Sequence, residues 1–157
     1  KYDLDRIKRA DPRLPMHPHY AFDTNLIILT LFPGIQENII RNALSTPGLK
    51  AVILKTYGSG NAPQKPWFIK LLTEVTQRGI VIVNISQCPT GTVEMARYET
   101  GIHLLDAGVI SGYDATVECV LTKLMFLLGH DLTPQEIRNE MSRSLAGEIT
   151  RPEMPTR

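Results

Sequence analysis

The stretch Lys55-Thr56-Tyr57-Gly58-Ser59-Gly60-Asn61-Ala62-Pro63 constrains the fold of this chain more than any other. It follows the apolar run of residues 51–54 and precedes an amphipathic segment that begins near Gln64. The pattern is that of a strand emptying into a glycine-rich loop that feeds a helix. Such a loop sits at the carboxyl edge of a parallel sheet, where open α/β folds hold their ligands, and its glycines let backbone N–H groups approach a small polar molecule.

The alternation repeats along the chain. Asn25-Leu26-Ile27-Ile28-Leu29-Thr30-Leu31-Phe32 is a continuous apolar run closed by Pro33-Gly34, which suits a strand buried on both faces. Ile35, Ile39, Ile40, Ala43 and Leu44 then recur at helical spacing until Pro47-Gly48. The helix after the glycine loop puts Trp67, Phe68, Leu71, Leu72 and Val75 on one face, and Gly79 ends it. Ile80-Val81-Ile82-Val83-Asn84 is a third strand, rich in β-branched residues. It runs into a second loop, Ser86-Gln87-Cys88-Pro89-Thr90-Gly91.

Beyond that loop the sequence predicts a short helix over residues 97–106 and a small fourth strand at Val109 and Ile110. A nearly all-apolar helix through Leu128 follows, with Asp114 as its expected N-cap. Thr133-Pro134-Gln135-Glu136 combines a capping hydroxyl, a proline at the first helical position and a closing glutamate, so a last helix starts there. The expected fold is a three-layer, flavodoxin-like α/β domain over residues 25–150, built on a parallel sheet of about four strands. Right-handed crossovers bring both loops to one edge. Residues 1–24, with Pro12, Pro15 and Pro18, read as a connector arriving from another domain, and residues 151–157 as a frayed tail.

Charge narrows the partners. The 17 basic and 16 acidic residues give no electrostatic footprint for nucleic acid or an anionic membrane. No apolar run is long enough to span a bilayer, and the first six residues lack the apolar centre of a signal peptide. Cys88 and Cys119 make neither a disulfide framework nor a metal cluster, which suits a reducing cytoplasm. His17, His19 and His130 are scattered, and their spacing suggests no zinc site.

Cys88, in a loop after a strand with His103 downstream, is either a nucleophile or a small loop hydrophobe. Cys119 lies among Val117, Val120 and Leu121 and reads as core. Glu94, Glu99 and Asp106 read as a solvated helix face. The hydroxyls of Ser86, Thr90, Thr92 and Tyr98 crowd between the two loops, which favours a small-molecule site.

Taken together, residues 51–63, 79–84, Gln87-Cys88-Pro89-Thr90-Gly91, Tyr98-Glu99-Thr100-Gly101 and Ala107-Gly108-Val109-Ile110-Ser111-Gly112-Tyr113-Asp114 resemble the C-terminal domain of cytoplasmic, type I L-asparaginases. Pro33-Gly34 and Thr122-Lys123-Leu124 fit the same pattern. The resemblance implies a cofactor-free hydrolase that converts asparagine to aspartate and ammonia through a threonine nucleophile. In that family the catalytic residues belong to the N-terminal domain, so this chain alone is expected to be inactive. It would then serve as partner to that domain, as an interface in a homodimer or homotetramer, and as a wall of the neighbouring subunit's active site. Tyr98 best matches the position acting in trans, with Asn61 a second substrate-contacting candidate.

The resemblance also implies an allosteric asparagine site at Lys55, Asn61, Ser86 and Cys88. Two of these depart from the family pattern: a lysine where an arginine is expected, and a serine where a threonine is. Arginine grips a carboxylate through a planar fork, whereas lysine offers a point charge. An asparaginase-like subunit of a tRNA amidotransferase, and a non-enzymatic asparagine-sensing module, are the alternative readings.

Overall fold

The computed structural model describes residues 9–97 and 99–150. Its elements run β1 (Leu26–Thr30), α1 (Glu37–Leu44), β2 (Ala51–Thr56), α2 (Pro66–Gln77), β3 (Val81–Ser86), a 3₁₀ turn (Met95–Arg97), α3 (Glu99–Asp106), β4 (Ile110–Ser111), α4 (Val117–Leu128) and α5 (Pro134–Met141). The four strands are all parallel and stand in sequence order, β1-β2-β3-β4.

That order explains the layers. Right-handed crossovers that always step in one direction leave every connecting helix on the same face. Accordingly Ile40 and Leu44 of α1, Phe68, Leu72 and Val75 of α2, and Leu104 of α3 pack with Val52, Leu54 and Ile82 of the sheet. The alternate side chains Ala51, Ile53, Val81, Val83 and Ile85 face the other way, where Val120, Leu124 and Leu127 of α4 and Ile137 and Met141 of α5 cover them. Because β2 and β3 are central, both of their faces are dry, and their apolar runs are unbroken for that reason.

β1 departs from expectation. It is an edge strand with its outer side open: Ile28 is 45% and Phe32 51% exposed. An apolar run looks the same whether a strand is central or at an edge, and only the pairing order decides. Ile39 likewise points outward, at 51% exposed. The helix expected over residues 97–106 is observed as the 3₁₀ turn and α3, and Gly101 in the first turn of α3 packs so closely on the 3₁₀ turn that a Cβ there would run into the Met95 carbonyl. The N-cap of α4 is Thr116, whose side chain accepts from the Cys119 N–H, rather than Asp114. The Asp114 carboxylate instead accepts from the Thr150 N–H. Thr133 and Glu136 form the full reciprocal capping box at α5.

The segment before β1 has no helix or strand among its described residues, yet part of it is docked. The Asp23 N–H donates to the Met125 carbonyl, and Lys50 pairs with the Asp23 carboxylate at 2.6 Å. Phe22 and His19 each pack edge-to-face with Phe126 on α4. Gly129 lies under this strap, since a Cβ there would sit 2.5 Å from the Ala21 carbonyl oxygen.

Candidate functional site

The two glycine loops meet at the carboxyl edge of β2 and β3. Thr56 and Ser86 are register partners at the last pair of the two strands, so the loops leave the sheet side by side. Ser86 ties them together: its hydroxyl donates to the Gly58 carbonyl at 2.5 Å and accepts from the Cys88 N–H at 2.9 Å. Gly91 folds back over this contact, and a Cβ on it would run into the Ser86 oxygen. Only glycine closes the second loop so tightly.

Beneath the loops is a buried polar bridge. Asn84, fully buried in β3, accepts from the Thr56 hydroxyl at 2.6 Å and donates through Nδ2 to the Gly60 carbonyl. Gly60 has φ of +107°, and a Cβ there would meet Val93 at 2.8 Å, so both conformation and space exclude other residues. Gln87 adds a second brace by donating to the carbonyls of Leu31 and Lys55. These amides fix the first loop before any ligand arrives.

Lys55, Ser86 and Cys88 line one cleft of about 240 Å³. Its opposite wall is the start of α4, with Thr116 and Glu118. The Glu118 carboxyl is held below the usual range chiefly by its own backbone N–H, then by the Thr116 hydroxyl. Burial opposes this slightly, and the charge of Lys55 adds to it. A cation on a strand end therefore faces an anion on a helix start across a small polar cleft. Sequence reading missed Thr116 and Glu118, although Thr-x-Glu before an apolar helix was a usable capping signal.

The other expected residues are placed differently. Asn61 is outside this cleft: its backbone bridges to Tyr57, and its side-chain oxygen accepts from the Thr100 hydroxyl at 2.7 Å. Tyr98 lies outside the described residues. Cys88 is exposed, while His103 lines a separate depression with Lys65 and Thr73, so the structure does not pair the thiol with that imidazole. Cys119 is half-buried rather than core and opens onto a groove beside Phe22 and Phe126. A wider depression of about 600 Å³ lies off β1, walled by Phe32, Tyr57 and Trp67. It contains none of the expected site residues, and the smaller cleft has the denser set of converging polar groups.

Against known proteins, the glutaminase/asparaginase C-terminal domain family matches residues 25–141. The chain belongs to that family. L-asparaginase 1 of Escherichia coli (strain K12) is 50% identical over 123 residues, which is 78% of this chain and 36% of that protein. The solved L-asparaginase I from Vibrio cholerae superposes with a TM-score of 0.79 at 44% identity, over 83% of this chain and 39% of that one. A human protein named 60 kDa lysophospholipase is 37% identical over 96% of this chain and 26% of its own length. A glutamyl-tRNA(Gln) amidotransferase component of Saccharolobus solfataricus is 34% identical over 82% of this chain and 28% of its own length. The chain thus spans between 26% and 36% of these three relatives. The family match begins at β1 and ends with α5, which is the α/β domain itself.

Proposed function

We propose that this chain is the C-terminal domain of a cytoplasmic L-asparaginase and that its cleft is a regulatory site for free asparagine. In this reading the threonine nucleophile belongs to an N-terminal domain, and hydrolysis of L-asparagine to L-aspartate and ammonia proceeds there without a cofactor. The chain alone turns nothing over. It supplies a homo-oligomer interface and, through Tyr98 with Asn61, closes a neighbouring subunit's active site.

The observation that carries the regulatory reading is the facing pair of opposite charges, Lys55 and Glu118, at one small cleft. An α-amino acid presents a carboxylate and an ammonium on one carbon. Lys55 suits the first, and the Glu118 carboxylate suits the second. Cys88, the spare lone pair of Ser86 and nearby backbone groups are left for the side-chain amide. As a single-point cation, Lys55 holds a carboxylate less rigidly than an arginine fork would.

Ammonia release by the full-length protein tests the reading. Rate against L-asparagine concentration is expected to be sigmoidal, and Lys55→Met to shift the curve or flatten it to a hyperbola. Tyr98→Phe is expected to lower kcat/KM by about tenfold, equivalent to one hydrogen bond of roughly 1.4 kcal/mol. In a mixed dimer with a subunit lacking its nucleophile, a role in trans leaves one site near wild type; two impaired sites would contradict it. The amidotransferase relative keeps a second reading in view, and a protein that releases no ammonia from asparagine without a partner and tRNA would favour that alternative.

A further inference from the structure

We propose that His19 and His130 form a two-histidine site for an imidazole-seeking divalent transition-metal ion such as zinc, which clamps the segment preceding β1 onto the end of α4. The two residues are 111 positions apart, yet His19 Nδ1 and His130 Nε2 face each other at 3.2 Å. Two ligands on one tetrahedral zinc, each about 2.0–2.1 Å from the metal, stand roughly 3.3 Å apart. The preformed separation is therefore that of a shared metal as well as that of a hydrogen bond.

The second ring nitrogen of His130 decides which form the inner one takes. His130 Nδ1 lies 2.7 Å from the Phe126 carbonyl oxygen, which can only accept, so Nδ1 carries the proton and Nε2 is bare. A histidine that donates one N–H to a backbone carbonyl while turning the other nitrogen outward is the arrangement that orients metal-bound imidazoles. Without metal, His19 Nδ1–H donates to that bare nitrogen. With metal, the His19 proton sits on Nε2 instead of Nδ1, so both facing nitrogens become ligands.

Phe126 fixes both rings, with centroids 5.6 Å from His19 and 4.3 Å from His130. The site is half-buried on the α4 side and open at His19, leaving room for water at the remaining positions. No third protein ligand is close enough among the described residues, which limits the site to two imidazoles and favours nitrogen-preferring ions over calcium or magnesium.

The experiment titrates zinc, and separately copper, into the metal-free full-length protein and into its His19→Ala, His130→Ala and His17→Ala variants. Each protein is first checked for native circular dichroism and asparaginase rate. One zinc per chain is expected to be lost on His19→Ala and on His130→Ala, each weakening that site at least tenfold, while His17→Ala stays within about twofold. Wild type is expected to gain several degrees in Tm with zinc and the two single variants not. Copper bound to wild type is expected to show coupling to two imidazole nitrogens by electron paramagnetic resonance. Zinc stoichiometry unchanged in both variants, loss with His17→Ala instead, or a copper signal from one imidazole would overturn the site. If His19→Asn, which keeps a polar side chain, retained the zinc-dependent Tm gain, the gain would not come from this pair and the proposal would fail.

Discussion

Two charged centres flank α4, and they are built in opposite ways. At one, Lys123 is 9% exposed and its ammonium pairs with Glu148 at 2.7 Å while donating to the carbonyls of Met141 and Arg143. Glu148 in turn accepts from the N–H groups of Leu145 and Ala146. Burial alone would raise its pKa, but Lys123 and these N–H groups outweigh burial and hold it down to about 2. Each of these bonds is made between described residues of the domain, so the centre pins the 142–150 segment. At the other centre, Lys55 and Glu118 face the same cleft, and Lys55 has no ion-pair partner among the described residues. Saturated charge holds the fold, and charge left open to a cleft is available for recognition.

The largest way to break this contrast is at the closed centre. Glu148→Ala strands a buried ammonium and is expected to destabilise the domain by about 3–5 kcal/mol in denaturant unfolding. The double variant Lys123→Met with Glu148→Leu removes both charges and is expected to recover most of that loss. A single variant as stable as wild type would mean the pair contributes nothing.

Acid gives a smaller effect at the same place. The folded pKa of Glu148 is depressed from 4.5 to about 2, so its contribution is complete above about pH 4.5 and is lost as pH falls toward 2. A loss of roughly 3 kcal/mol is the upper expectation for this one group, at about 1.36 kcal/mol for each pH unit between the two values. Glu148→Gln should flatten that part of the stability profile. At the open centre, Glu118→Gln is expected to lower the unfolding midpoint far less than Glu148→Ala does, because the Glu118 carboxylate is exposed and only caps the start of α4. On the proposed regulatory reading the substitution should nevertheless weaken the response to asparagine about tenfold, as expected for the loss of one charge-assisted contact. Equal damage to stability at both centres would erase the distinction.

The uneven legibility of the sequence has the same origin. Central strands β2 and β3 are dry on both faces, so their apolar runs announced them, and the capping box at Thr133 and Glu136 is a purely local device. Both loops were legible because glycines follow apolar runs in the chain, whereas the close contact of Gly60 with Val93, 33 residues on, was not. The edge character of β1 was hidden, because pairing order is a tertiary fact. Lys55, Ser86 and Cys88 were marked out from sequence by resemblance, and the fold gathers them; the facing wall at Thr116 and Glu118 is 61 and 63 residues beyond Lys55, too far for any spacing rule. Lys123 with Glu148, and His19 with His130, escaped for the same reason.

A crystal structure of the full-length protein grown with saturating L-asparagine tests the central claim most directly. One asparagine is expected in this cleft, its α-carboxylate within hydrogen-bond reach of Lys55 Nζ and its ammonium turned toward Glu118. An empty cleft beside an occupied active site would contradict it.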